Sequence, residues 1–270
     1  MIKNCVCLQK WQKLALQVII NISVLSLPGC AIAKPPGTGW QMTFHDEFNG
    51  TTLNTHKWNT CYWWATTGCK LNGDMEIQWY QTDDVITRKG KLRLRAQRRS
   101  MNGYNYTAGM VSSHDKYSFK YGYIEMRAKM PKGSGLWPAF WLIPQRRNVW
   151  PPELDVMEYL GHDPQGVYMT IHYKTANGKA NSGTYWNGPD FSADYHTFAM
   201  QWEPDRIVWY IDGVERKRYE VAANIPAEPL YIVANLAVGP AWKNMPPDRT
   251  TFPKYYLIDY IRVWQRKSGR

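Results

Sequence analysis

The sequence predicts an all-β fold in which two sheets pack face to face. Short segments with strand-like alternation or apolar runs dominate, turn signals separate them, and no stretch has a long helical period. The dipeptides Lys89-Gly90 and Asp212-Gly213 each lie between such segments and predict tight hairpins. Many short strands at this spacing are typical of a two-sheet β-sandwich.

Three further segments extend this prediction along the chain. Residues 122–130 alternate polar and apolar side chains, which predicts a half-buried strand. Residues 230–238 and 255–265 are richer in apolar side chains and predict buried or central strands. Because no repeat, low-complexity tract or linker interrupts residues 41–266, we expect a single domain there.

One run of the chain, Pro-Pro-Glu-Leu-Asp-Val-Met-Glu-Tyr, concentrates three acids in six residues. The alternation with apolar residues predicts a strand, so Glu153 and Asp155 share one face. In a regular strand Glu158 would point to the packed face, where an unpaired carboxylate is costly to bury. One extra residue, a β-bulge around Val156-Met157, returns Glu158 to the open face. We therefore expect three acids in a row.

Paired carboxylates on an open face suit the cleavage of a glycosidic bond. That reaction needs one acid to protonate the leaving oxygen and one base or nucleophile at the anomeric carbon. Crowding separates the pKa values of neighbouring carboxyls, so one stays protonated while another is ionised. The alternative, a solvated acidic edge strand, does not explain why 14% of the residues are aromatic. Flat rings stack well on sugars.

The start of the chain has the pattern of an export signal. Basic residues precede an apolar run over 14–27, and small residues end at Ala33, so residues 1–33 are predicted to be a signal peptide. The run is too short to predict a membrane span. The alternative is a lipoprotein anchored at Cys30. Residues 34–40 are predicted to be a short leader.

The cysteine count and the distribution of charge limit which other functions are possible. Cleavage at this point leaves Cys61 and Cys69 of five cysteines, and in an exported protein the two predict a disulfide rather than free thiols. The net charge is +11, but Lys and Arg are spread along the chain rather than clustered. This pattern predicts solubility and does not favour nucleic-acid binding. An acidic polysaccharide remains an alternative reading of the charge.

Five blocks of sequence, in order, carry a resemblance to a known family. They are DEFNG at 46–50, GSGLWPAFWL at 133–142, ELDVME at 153–158, NLAVG at 235–239 and DYIRVW at 259–264. The chain resembles glycoside hydrolase family 16, the endo-glycanases that include laminarinases and lichenases. The resemblance implies a jelly-roll sandwich with a concave substrate cleft. The extra Met157 is similar to the bulged, laminarinase-like branch, with the pattern ExDxxE.

The resemblance assigns roles to the acids. It implies that Glu153 is the nucleophile, Asp155 the residue that assists it, and Glu158 the general acid/base. His172 matches a histidine on the neighbouring strand, close to the acid/base. The alternative for His172 is an ordinary core histidine.

The resemblance also implies residues that contact the substrate, each with core packing as its alternative. Those near the scissile bond are Trp137, Trp141 and Trp150, and those on the opposite wall are Glu76, Gln78 and Tyr80. The resemblance places Trp242 further along the cleft, although residues 242–244 depart from the glycine-rich sequence usual there in the family.

A structural calcium ion is a further implication of the resemblance. Glu47, Gly90 and Asp259 match positions that hold calcium away from the cleft in many members, and oxygen ligands suit that hard cation. The alternative is that no metal binds. No cofactor is implied for catalysis, because the acid motif lacks metal-ligand spacing rich in histidine.

These observations together predict a secreted or periplasmic, retaining endo-β-glucanase. We expect a monomer that hydrolyses 1,3- or mixed 1,3-1,4-linked β-glucan, with no nucleic-acid partner and no membrane span. The alternatives are the same chemistry on a galactan or a bacterial exopolysaccharide, and transfer to a sugar acceptor instead of water. A non-catalytic glucan-binding protein is disfavoured because all three acids are present.

Overall fold

The computed structural model describes residues 35–63, 69, 75–241, 247 and 250–267. The predicted signal peptide, its alternative anchor Cys30 and the predicted sugar-binding residue Trp242 lie outside these ranges. Two single 3-10 turns lie wholly within these ranges, at Thr82–Asp84 and Ala222–Asn224. No helix of the described part of the chain has the length and apolar character needed to cross a membrane.

Strands make up most of the described chain, and their bounds are as follows. In chain order they are β1 Trp40–Asp46, β2 Gln78–Tyr80, β3 Val85–Thr87, β4 Leu92–Met101, β5 Tyr104–Ala108, β6 Met110–Ser112, β7 Ser118–Phe119, β8 Gly122–Lys129, β9 Leu136–Pro144, β10 Glu153–Glu158, β11 Gly166–Thr175, β12 Gly178–Asn187, β13 His196–Trp202, β14 Ile207–Ile211, β15 Val214–Tyr219, β16 Leu230–Val238 and β17 Lys254–Arg266.

These strands form two sheets. Sheet A has the order β15-β14-β13-β8-β17-β4-β5-β2, with β1 paired to β17 and β3 paired to β4. Sheet B has the order β12-β11-β10-β9-β16-β6, with β7 paired to β16. Their apolar faces meet in one core cluster, which draws side chains from both sheets. The predicted all-β, two-sheet sandwich is confirmed.

Both predicted hairpins are present, and their turns have the expected backbone. Lys89 and Gly90 have φ angles of 54° and 64°, between β3 and β4. Asp212 and Gly213 have φ angles of 51° and 73°, between β14 and β15. Two successive residues with positive φ match the right-handed twist of the flanking strands. The dipeptides therefore fixed these connections through their backbone preferences.

Strand β8 is more deeply buried than its alternation predicts. Tyr123 and Glu125 lie on its polar face, yet each is only 2% exposed. The prediction of a half-buried strand is therefore wrong for the first half of β8. The reason is that aromatic side chains cover the outer face of sheet A, and the rings of Trp264 and Trp40 lie 5.7 and 6.4 Å from that of Tyr123.

The remaining strand predictions are confirmed. Every residue of β16 is buried, and β17 lies in the interior of sheet A, where it pairs with β1, β4 and β8. Several tryptophans fill the core rather than a binding surface, among them Trp58, Trp202 and Trp209.

A disulfide joins Cys61 to Cys69, as predicted, with their Cα atoms 4.7 Å apart. The backbone N–H of Tyr80 donates a hydrogen bond to the carbonyl of Cys69 at 3.1 Å, which ties Cys69 to β2. Closing a loop of this length is expected to stabilise the fold by about 2–3 kcal/mol. The disulfide is therefore held next to β2 through Cys69.

Candidate active site

The three acids of β10 lie where the strand is bulged. Asp155 is opposite Thr170 of β11 and Glu158 is opposite Tyr168, so three steps along β10 match two along β11. The pairing of β10 with β9 shifts in the same place, between Asp155 and Met157. One extra residue in β10 therefore restores Glu158 to the face of the other two acids. The predicted bulge is confirmed.

All three acids open into one large cleft on the outer face of sheet B. Its volume is about 1030 Å³, and Glu153, Asp155 and Glu158 all line it. The predicted tryptophans Trp137, Trp141 and Trp150 line it as well. The acids thus share a cavity of the size that holds several sugar-sized groups.

Each outer acid of the row accepts a hydrogen bond from a tryptophan. The indole N–H of Trp150 donates to Glu153 Oε2 at 2.8 Å, and that of Trp137 donates to Glu158 Oε1 at 3.2 Å. Trp150 is 44% exposed and lines the open cleft. These tryptophans therefore hold the acids as well as line the cavity.

Burial and crowding raise the pKa of both outer acids. Burial is the larger cause of the raised pKa of Glu153, followed by the negative charge of Asp155, and the Trp150 hydrogen bond opposes them. The pKa of Glu158 is also raised well above its ordinary value, by burial first and then by Asp155. The row therefore retains a proton at a pH where isolated carboxyls are ionised.

His172 lies at the other end of the row from its predicted position. It is opposite Glu153, with Nε2 3.1 Å from Asp155 Oδ2 and 3.7 Å from Glu153 Oε1. The prediction that it lies close to Glu158 is wrong, because the register across the bulge places Tyr168 there instead. His172 lines the cleft, so it is not an ordinary core histidine.

The opposite wall of the cleft is built on a buried hydrogen-bond network. Gln78 Nε2 and the Tyr80 hydroxyl donate to Glu76 Oε2 at 2.7 and 3.1 Å. Asn235 Nδ2 donates to the Tyr80 hydroxyl at 3.0 Å, and Trp141 Nε1 donates to Asn235 Oδ1 at 2.9 Å. The network therefore connects the Glu76 wall to the floor of the cleft.

Only one of the three residues predicted on this wall borders the cavity. Glu76 lines it, whereas Tyr80 and Gln78 are 0% exposed. A sugar contact by Tyr80 or Gln78 is therefore wrong; both position Glu76. Burial raises the pKa of Glu76 to about 7, against the lowering effect of its two hydrogen bonds.

Sequence reasoning missed a lysine between the sheets. Lys217 of β15 is 8% exposed, and its Nζ donates to the carbonyls of Met169 at 2.9 Å and of Ser182. It lies 4.5 Å from the ring centroid of Trp209, whose indole donates to the carbonyl of Asp155 at 2.8 Å. Burial lowers the pKa of Lys217 to about 8.

No sequence signal distinguishes Lys217 from the exposed bases around it. Asn235 was also missed as a cleft residue, although it opens the NLAVG block and lines the cavity. That block could have identified it, because a polar side chain in a wholly buried strand needs a specific partner.

Two groups of residues have donor atoms suited to a metal. Ligand atoms of Glu153, Asp155 and His172 lie within 4.8 Å of one another, but they belong to the acid row. At the predicted calcium site, both oxygens of Glu47 accept hydrogen bonds from Arg262, at 2.8 and 2.7 Å. Asp259 accepts from Lys91 and, at 2.6 Å, from Arg127.

In its present conformation, this arrangement does not fit a calcium ion. The Glu47 and Asp259 carboxylates are already neutralised by basic side chains of the chain, which an ion would have to displace. Calcium at Glu47, Gly90 and Asp259 therefore stays a prediction.

Known proteins resemble this chain over most of its length. The model for Glycosyl hydrolases family 16 matches residues 71–261. Endo-1,3-1,4-beta-glycanase EglC of Rhizobium meliloti (strain 1021) is 34% identical over 241 residues, which are 82% of this chain and 51% of that protein. A glucan endo-1,3-beta-glucosidase of Cryptopygus antarcticus is 34% identical over 239 residues, which are 80% of this chain and 85% of that protein.

A solved structure matches the fold as well. The catalytic domain of an endo-1,3-beta-glucanase (laminarinase) from Thermotoga petrophila RKU-1 is 32% identical and superposes with a TM-score of 0.75, covering 85% of this chain and 99% of that one. The sandwich is thus of the jelly-roll type, and with its bulged acid row it has the architecture of a glycoside hydrolase. The chain belongs to glycoside hydrolase family 16. It spans about half the length of EglC.

Proposed function

We propose that this chain is an exported, retaining endo-β-glucanase that hydrolyses 1,3- or mixed 1,3-1,4-linked β-glucan. The observation that carries the proposal is the bulged row of acids, which places two carboxyls with raised pKa in one cleft lined by tryptophans. A large open cleft suits cleavage inside a polymer, because it can hold several sugar units. Flat aromatic rings suit stacking on the faces of sugars.

The two outer acids take separate roles in a double displacement. Glu158 protonates the glycosidic oxygen while ionised Glu153 attacks the anomeric carbon and forms a covalent glycosyl-enzyme. Glu158 then acts as a base, removing a proton from the water that hydrolyses this intermediate. Retention needs the two carboxyls to lie roughly 5 Å apart.

The donors near Glu153 support it rather than Glu158 as the ionised member of the pair, although the neighbouring Asp155 and Glu158 raise its pKa. Trp150 donates to Glu153 at 2.8 Å, a shorter contact than the 3.2 Å from Trp137 to Glu158. His172 Nε2 lies 3.7 Å from Glu153 and adds positive charge there when it is protonated. Donors and cations near a carboxyl favour its charged form.

Asp155 assists without joining the covalent chemistry. It is 2% exposed, lies with Oδ2 3.1 Å from His172 Nε2, and its negative charge raises the pKa of both outer acids. Asp155 therefore tunes the pKa of Glu153 and Glu158. Asp155 borders the cleft but is almost fully buried, so the more exposed Glu153 is left to attack the anomeric carbon.

Export is the second part of the proposal. The signal-like segment before Ala33 and the Cys61–Cys69 disulfide support it, because disulfides persist in oxidising compartments. Mass spectrometry of the protein recovered from the medium or periplasm would identify the mature first residue. An uncleaved cytoplasmic chain would contradict export and leave the chemistry standing.

A product analysis over a panel of polysaccharides tests the substrate. The panel contains laminarin, mixed-linkage glucan, agarose, carrageenan and a bacterial exopolysaccharide. We expect oligosaccharides from laminarin or mixed-linkage glucan, released faster than from sulfated galactans. Faster release from the galactans would overturn the glucan assignment, and only transfer products in the presence of sugar acceptors would overturn hydrolysis.

A further inference from the structure

Two lysines extend the floor of the cleft beyond the acid row. On β11, Tyr168, Thr170 and His172 line the cavity, and alternation in a strand puts Lys174 on that same face. On the neighbouring strand β12, Asn181 lines the cavity, and the same alternation places Lys179 beside it.

The strand register sets the two lysines side by side. Lys174 is directly opposite Lys179 in the antiparallel pairing of β11 with β12. Side chains opposite each other across such a pair have Cβ atoms about 4.5–5.5 Å apart, and like charges there repel. Both lysines are exposed, and among the residues that the structure describes no acid forms an ion pair with either. The sheet thus carries a concentrated positive charge without an internal counterion.

A tryptophan beside the nucleophile fixes one lysine at the cleft. Lys179 Nζ lies 4.3 Å from the ring centroid of Trp150, and the indole of Trp150 donates to Glu153. Such a cation–π contact orients an exposed ammonium group. The pair is therefore anchored to the active site rather than held at the free end of a hairpin.

Other bases at the cleft are already neutralised. Arg146 lines the cavity, but both oxygens of Glu228 accept from it, at 2.7 and 2.8 Å. Arg147, next along the chain, pairs with Asp115 at 3.1 Å. The uncompensated charge is thus localised on the lysine pair.

The other end of the same floor has the opposite character. Tyr168 and Tyr185 are opposite each other there, next to Glu158, and the Tyr185 hydroxyl donates to Asp163 at 2.9 Å. The cleft is therefore electrostatically asymmetric, positive beyond Glu153 and acidic beyond Glu158.

We propose that Lys174 and Lys179 form a subsite for a negatively charged substituent on the β-glucan, on the Glu153 side of the scissile bond. This inference rests on the proposed glucanase function and adds acidic β-glucans to its substrate class. An ammonium group binds an anion as a point charge, so carboxylate half-esters and sulfate esters share the chemistry that the pair recognises.

The test compares laminarin with the same laminarin after light succinylation or light sulfation. The variant is Lys174→Gln/Lys179→Gln, and the charge-matched control is Lys120→Gln/Lys267→Gln, whose lysines lie outside β11, β12 and the cleft lining. For each enzyme the readout is kcat/KM on the substituted polymer divided by kcat/KM on the neutral one.

We expect that ratio to fall about fivefold in the cleft variant and to stay constant in the control, and we expect the difference to shrink as salt rises. A fall on only one substituted polymer would identify which anion the pair prefers. An unchanged ratio on both polymers, or an equal fall in the control, would overturn the subsite.

Binding separates this inference from the proposed function. Dissociation constants for the neutral and the substituted polymers are measured in a Glu153→Gln background, with and without the two lysine substitutions. If no glucan is hydrolysed by the wild type, the proposed function fails, yet the ratio of dissociation constants still decides the lysine pair. We expect the substituted polymer to lose about fivefold in affinity and would abandon the subsite if it lost none.

Discussion

Carboxyls with a raised pKa lie on both sheets, but those of the acid row border the cleft whereas Glu125 is enclosed. Glu153 and Glu158 of sheet B and Glu125 of sheet A all have a pKa raised chiefly by burial. Glu125 is enclosed, and the hydroxyls of Tyr260 and Tyr123 donate to its two oxygens at 2.7 and 3.1 Å. The acids of sheet B open into a cavity of about 1030 Å³.

The difference lies in charge compensation and access. Among the described residues, no Lys or Arg forms an ion pair with the three acids of sheet B, and His172 is their basic partner. Near Glu125, the charge of Arg262 lowers the pKa that burial raises. A raised pKa therefore marks a catalytic carboxyl only where crowding, an open cleft and a place for the substrate coincide.

Isosteric substitutions on the two sheets give the largest expected contrast. Glu153→Gln should lower kcat by at least about 10⁴-fold and Glu158→Gln by about 10³-fold on laminarin, because a nucleophile and a proton donor are lost. Glu125→Gln should stay within about twofold of the wild type, since it neither touches the cleft nor loses its shape. Comparable losses in all three variants would remove the distinction between the sheets.

The middle acid should give a smaller effect than its neighbours. Asp155→Asn keeps the shape and removes the charge that raises the pKa of both outer acids. We expect turnover to slow by about 10–100-fold and the pH optimum to move down, because those acids would titrate at lower pH. Steady-state rates across the pH range measure both changes. An optimum that does not move would contradict the electrostatic role.

Glu76 is an intermediate case, buried yet bordering the cleft. Its folded pKa of about 7 lies above the ordinary 4.5. Its stabilising contribution is therefore complete below pH 4.5 and is lost as pH rises through 7, because the unfolded chain ionises first. Relative to Glu76→Gln, the wild type should lose on the order of 2–3 kcal/mol of unfolding free energy across this window.

Denaturant unfolding at about pH 4.5 and about pH 8 measures this shift. The control is Glu220→Gln, which removes a carboxylate at an exposed site. A difference in unfolding free energy between the wild type and Glu76→Gln that stays constant with pH would show that burial does not raise the pKa of Glu76.

Lys217 is the cationic counterpart, and its pH dependence has the opposite sign. Burial lowers its pKa from 10.5 to about 8. Below that pH the folded lysine is charged, and burying this charge lowers the free energy of unfolding. Between pH 8 and 10.5 the folded lysine is neutral while the unfolded one is still charged, so stability rises.

Relative to Lys217→Met, the wild type should therefore gain on the order of 2 kcal/mol in unfolding free energy as pH approaches 10. Lys120→Met, at an exposed lysine, is the matched control. Unfolding curves for the three proteins at about pH 7.5 and about pH 10 decide the point. A relative loss for the wild type would show that the lysine is not held as a buried cation.

The sequence predicted the site best where its residues obey simple strand geometry. Alternation placed Glu153 and Asp155 on one face, and the cost of burying Glu158 required the bulge that the register contains. The hairpins at Lys89-Gly90 and Asp212-Gly213 likewise follow from local backbone preference.

Properties that depend on packing between distant segments could not be predicted in this way. Tyr80 has the residue type of a sugar contact, but Asn235 and Glu76 engage its hydroxyl inside the protein. Glu125 alternates like a surface residue, yet tyrosines of sheet A enclose it. Lys217 is buried only because sheet B lies across β15 and supplies carbonyls to its ammonium group. Each case depends on contacts between distant segments.

The central claim assigns different chemistry to the two outer acids, and azide rescue tests it most directly. With an aryl β-glucoside that has a good leaving group, azide can attack from the side vacated in Glu153→Ala, and the product is the α-glycosyl azide. In Glu158→Ala the covalent intermediate still forms, azide intercepts it, and the product is the β-glycosyl azide. Proton NMR of the anomeric centre distinguishes them. Exchanged configurations would reverse the two roles, and wild-type activity in either variant would remove the carboxyl pair from the chemistry.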